Sequence, residues 1–115
     1  MNEDRELLEL AALAAGIQYE WHQGCGEALH LTAQDATAIY WNPLRDDGDA
    51  FRLAAFLRLT VYHDVLAVIV KHKQYSWEWM GEMVDEDCGD RNAATRRAIV
   101  RAAAEIGKQM KEQDK

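Results

Sequence analysis

The sequence is short of several residue types, and each shortage closes off a class of protein. In 115 residues there are only two cysteines, Cys25 and Cys88, and one proline, Pro43. Two widely separated cysteines, each beside a glycine, make neither a disulfide framework nor a zinc motif, so both read as free thiols of a reducing compartment. Ser76 is the lone serine, and no G-x-S-x-G surrounds it, which removes the hydrolase elbow. The aliphatic run Val65 to Val70 falls far short of the ~20 residues that span a bilayer, so no membrane partner is expected. Met1 to Glu9 is acidic and polar rather than basic and then apolar, and a cytoplasmic protein is expected.

Histidines are few and scattered. His22, His30, His63 and His72 show no H-x-x-x-H spacing and read as strand-edge polar residues. Gly24-Cys25-Gly26 is too short to cradle a phosphate and opens no helix. No constellation argues for an enzyme, and no cofactor is implied.

What is present is an ordinary globular composition, 49% hydrophobic and 29% charged, at the length of one domain covering residues 1–115. The net charge is −7, and it is unevenly spread. Residues 1–90 carry 6 basic and 17 acidic side chains, whereas residues 91–115 carry 7 basic and 3 acidic. Such asymmetry marks either a binding surface or a basic helix packed beside acidic turns of its own domain.

The chain is organised around Tyr40 to Thr60. An aromatic strand end, Tyr40-Trp41, runs into Asn42-Pro43, where proline stops the strand. Asp46, Asp47 and Asp49 then lie where a starting helix has unpaired amides, and Asp47 or Asp49 is expected to cap it. The helix over Asp49–Leu59 carries an apolar stripe of Ala50, Leu53, Ala54 and Leu57, widened by Phe51, Ala55 and Phe56. Full burial of Phe51, Phe56 or Leu57 is worth ~1.5–3 kcal/mol each, which makes this helix the expected centre of the core.

On either side, the period of the apolar residues sets the elements. Glu3–Ala15 has helical spacing and stops at Gly16. Ile17 to His22, Ala28 to Thr32 and Thr37 to Trp41 read as three strands of a meander. Val61 to Lys73, with its VLAVIV hexad, reads as one strand covered on both faces. Tyr75 to Met80 alternates like a second hairpin arm, and Arg91 to about Lys111 is helical. The expected fold is α+β: a single-sheet α/β sandwich of about four or five mostly antiparallel strands with three helices, in the order α-β-β-β-α-β-β-α.

Two segments, WNPLRDDGDAFRLA at Trp41–Ala54 and AATRRAIVRAAAEIG at Ala93–Gly107, together with DRELLELAALAAGI at Asp4–Ile17, resemble small bacteriophage and prophage proteins with the phage ABA (α/β) sandwich domain. The resemblance spans most of the chain and is least close over His63–Asp90. It implies a layered sheet-and-helix fold and a phage or prophage product in the cytoplasm of a bacterial host. It brings no catalytic residue with it.

Candidate sites follow from residue type. Tyr75, Trp77 and Trp79 form an aromatic face that either meets a protein partner or packs beneath a helix. Arg97, Arg101 and Lys108 form a basic stripe suited to phosphates, to an acidic protein surface or to a second copy of the chain. Asp46, Asp47 and Asp49 are weak candidates for a divalent cation, lacking the ligand spacing of a calcium loop. The expected function is protein binding by a non-enzymatic accessory protein that inhibits a host or defence component. The alternatives are nucleic-acid binding through the carboxy-terminal helix and acidic mimicry of DNA.

Overall fold

The structure, a computed structural model, describes residues 3–17, 19–21, 29–31, 39–73, 80–83 and 90–113. It is an α+β fold with three helices. Helix α1 covers Glu3–Ala15, α2 covers Asp47–Leu57 and α3 covers Arg91–Gln113. Gly16 ends α1 at φ 70°, the left-handed turn that glycine enters at no steric cost, and the Ile17 amide donates back to the Ala12 carbonyl at 2.9 Å.

The strands form two antiparallel three-stranded sheets. Strands β1 (Tyr19–Trp21), β2 (Leu29–Leu31) and β3 (Ile39–Trp41) make the first, in that order. Strands β4 (Thr60–His63), β5 (Ala67–Lys71) and β6 (Met80–Met83) make the second. The single sheet and its strand order are therefore corrected among the described residues: the meander before α2 does not share a ladder with the strands after it, and three strands, not two, follow α2. The arm expected at Tyr75 to Met80 lies outside the described residues except for Met80, which opens β6.

A second correction concerns the hexad. Val65 and Leu66 are not strand residues but the exposed tip of the β4–β5 hairpin, at 82% and 60% exposure. Asp64 makes the turn. Its carboxylate accepts the Val65 amide at 2.8 Å, and its own amide donates to the Ala67 carbonyl at 2.8 Å. A short acid that bonds its neighbouring backbone initiates a turn without glycine or proline. Only Val68 and Val70 are then fully buried, alternating with the half-buried Ala67 and Ile69.

The core lies where α3 meets the rest. Leu8, Ala11 and Ala12 of α1, Trp41 of β3, Ala50 and Leu53 of α2, Val68 and Val70 of β5, and an alanine-rich face of α3 form one buried cluster. Small side chains at Ala94, Ala98, Ala102 and Ala103 let neighbours approach α3 closely, so the longest helix serves as the axis. Phe51 and Phe56 do not join this core. They stand 73% and 66% exposed, which overturns their expected burial.

Candidate functional site

The site is built outward from the bend between β3 and α2. Asn42 leaves the strand and its side-chain oxygen accepts the Leu44 amide at 3.1 Å, while its carbonyl accepts the Arg45 and Asp46 amides. Asp46, not Asp47 or Asp49, caps α2: it is extended at φ −112° and its carboxylate accepts the Asp49 amide at 2.8 Å. Asp49 is buried instead. One oxygen accepts the Asn42 amide at 2.9 Å and the other the Arg52 guanidinium at 2.8 Å.

Arg96 fastens this bend to α3. Its Nε donates to the Leu44 carbonyl at 2.9 Å and its Nη1 to the Asp47 carboxylate at 2.6 Å. The three aspartates thus serve as a helix cap, an ion pair to α3 and a buried brace, with Arg52 shared between Asp49 at 2.8 Å and Asp46 at 4.0 Å. Among the described residues, no group of three or more His, Cys, Asp or Glu side chains is arranged to hold a metal ion.

Held apart in this way, α2 and α3 flank a groove of about 590 Å³ whose floor includes Val61 of β4. Ala54, Leu59, Val61 and Ile99 supply apolar lining, and Phe51 stands at its side. Arg58 lies at the end of α2 with a left-handed backbone, φ 58° and ψ 45°, and its amide donates to the Ala55 carbonyl at 3.2 Å. A side chain at this position costs about 1 kcal/mol or more relative to glycine. Arg58→Gly, which exchanges that strain for glycine's larger unfolded-state entropy, is expected to stabilise the fold by up to about 1 kcal/mol, read as a higher urea midpoint.

Arg91, the first residue of α3, closes the far end of the groove. Its Nη2 donates to the carbonyls of Asp64 and Val65 at 2.6 and 2.8 Å, pinning the hairpin turn to the helix. Its Nη1 is buried without a hydrogen-bond partner. Tyr62, Val65 and Leu66 are exposed as well, on the β4–β5 hairpin and outside the groove lining.

The residues expected from sequence are distributed differently. Tyr75, Trp77 and Trp79 lie outside the described residues. Arg97 forms an ion pair with Asp4 of α1 at 3.4 Å, so part of the basic stripe meets the acidic segment of its own chain. Arg101 and Lys108 lie exposed on α3, and Lys108 borders a second concavity, between α1 and the end of α3. No described helix is long and apolar enough to cross a membrane.

Neither a family model nor a curated protein nor a solved structure matches this chain. The groove itself was missed in the sequence, although one signal for it existed. At about 100° per residue, Phe51 falls roughly 100° from Ala50 and 160° from Leu53, off the line of the two buried apolar positions of α2. An aromatic residue turned that far from the buried positions stands at the edge of the packed face, where it lines the groove.

Proposed function

We propose that this protein is a non-enzymatic phage or prophage accessory protein that acts in the bacterial host cytoplasm by binding another protein, a host or defence component. The observation that carries the binding part of this reading is the exposure on α2 of Phe51, which lines the groove, and of Phe56, which stands outside the groove lining. Two large apolar side chains are held on a fixed helix where water covers them, and a partner that covered them would gain ~1.5–3 kcal/mol from each. The phage origin rests on the resemblance of Trp41–Ala54 and Ala93–Gly107. Nucleic-acid binding through α3 has less support, because Arg97 is paired with Asp4.

The test compares wild type with a Phe51→Ser/Phe56→Ser variant as bait in bacterial lysate. Both side chains are exposed, so the variant should unfold at nearly the wild-type temperature. The wild type should retain a partner that the variant loses by about thirtyfold or more, the loss that follows from removing a hot spot of about 2 kcal/mol. Equal retention by both proteins would remove α2 as the binding element, and no specific partner for a monomeric wild type would remove the proposal.

A further inference from the structure

We infer that the groove between α2, β4 and α3 takes a peptide segment of the partner in which apolar side chains are flanked by carboxylates. This rests on the protein-binding reading and names the chemistry of the partner. Shape is the first argument. A concavity of about 590 Å³ falls within the range of pockets that enclose a compact ligand, and it suits a few side chains of one segment better than a flat interface does.

Charge decides which segment. The chain is strongly acidic, yet the groove is lined by three arginines, Arg58, Arg91 and Arg96, against the single carboxylate of Asp47. Arg96 already holds that carboxylate at 2.6 Å. Among the described residues no acid pairs with Arg58 or Arg91. A cationic recess on an anionic protein draws an acidic segment to one place and repels it elsewhere. Arg96 and Arg91 already donate guanidinium hydrogens to Asp47 and to main-chain carbonyls, so the exposed Arg58 is the group placed to bind a carboxylate with two parallel hydrogen bonds, and the other two add attraction.

Two unrelated local costs converge on the same recess. Arg58 occupies a left-handed position that glycine would fill without strain, and Arg91 buries an unpartnered Nη1. Costs of this kind persist where a side chain is needed for something other than stability. Both place positive charge at the groove, Arg58 as an exposed guanidinium and Arg91 as one whose Nη1 is buried and acts only through its charge. The aliphatic lining of Ala54, Leu59, Val61 and Ile99 requires that the acidic segment also carry apolar anchors.

The experiment pans a library of displayed random peptides against the full chain, then measures the strongest synthetic peptide by fluorescence anisotropy against wild type, Phe51→Ser and Arg58→Gly. Arg58→Gly removes the charge while relieving the backbone, so its loss of binding does not come from unfolding. Enrichment of Asp and Glu beside Leu, Ile, Phe or Trp is expected, with affinity about tenfold lower in each variant and falling with salt. Basic or uncharged winners, equal binding by all three proteins, or no enrichment would overturn the inference. So would tighter binding of a random-sequence oligonucleotide to the same groove, or a wild-type dimer that Phe51→Ser dissociates. If no peptide is enriched while lysate capture still depends on Phe51 and Phe56, protein binding stands and only the acidic segment is lost. If neither is seen, both fall.

Discussion

Gly107→Ala is expected to destabilise the protein by about 3 kcal/mol, near the upper end of what overpacking costs, although in most helices the same change stabilises by about 1 kcal/mol. The sign reverses because of where Gly107 sits. It is buried on α3 facing α1, and a Cβ there would fall on the carbonyl oxygen of Leu10 and lie 2.9 Å from its carbonyl carbon. Those are backbone atoms of a packed helix, so accommodation requires α1 and α3 to separate, and with them the contacts of Leu8, Ala11 and Ala12. At this chain length the loss should lower the melting temperature by roughly 10 °C. Gly48→Ala in α2 is the control: its added Cβ would meet only the ends of the Asp46 and Arg52 side chains, at 3.2 and 3.3 Å. Equal melting temperatures for Gly107→Ala and wild type would show that the two helices do not approach as described.

The second large effect is expected at Asp49. Asp49→Ala leaves the Asn42 amide without its acceptor and frees Arg52, and hydrogen bonds to a charged group are worth about 1.5–3 kcal/mol each. The Arg52 contribution is small because that side chain is 70% exposed, so the expected cost is about 2–3 kcal/mol, most of it from the amide. Asp46→Ala, which removes the cap and a long, exposed ion pair to Arg52 that adds little, should cost about 1 kcal/mol. Urea denaturation of the two variants ranks them, and Asp46→Ala proving the more damaging would mean that the buried carboxylate is not the brace of this bend. Asp49→Asn should recover part of the loss, since its side-chain oxygen still accepts from Asn42.

These two sites show what the sequence makes legible and what it does not. Local, periodic features were readable. The bounds of α1, the start of α3, the stop at Gly16 and the strand end before Pro43 each follow from the nearest few residues. Partner choice among similar residues was not. Asp46, Asp47 and Asp49 have the same chemistry, and only the path of the chain decides that the first caps, the second meets Arg96 and the third is buried. Long-range contacts were hidden for the same reason. Nothing near Arg96 indicates that it reaches the Leu44 carbonyl, and nothing near Val65 indicates that Arg91 will fasten its turn. The hexad misled because an aliphatic run states hydrophobicity but not register, while the aspartate before it set the hairpin. The exposure of Phe51 was legible in principle from its angle on α2, whereas Phe56 lies only about 60° from the buried Leu53 and its exposure is decided by what packs against that end of the helix.

Arg96 joins the bend before α2 to α3, gripping a main-chain carbonyl and a carboxylate with one side chain. The distance between the two walls at that end of the groove is therefore set by a guanidinium rather than by whatever comes to lie between them. A segment entering there would meet a jaw already open, and the freedom given up in shaping it would have been given up during folding rather than at the encounter.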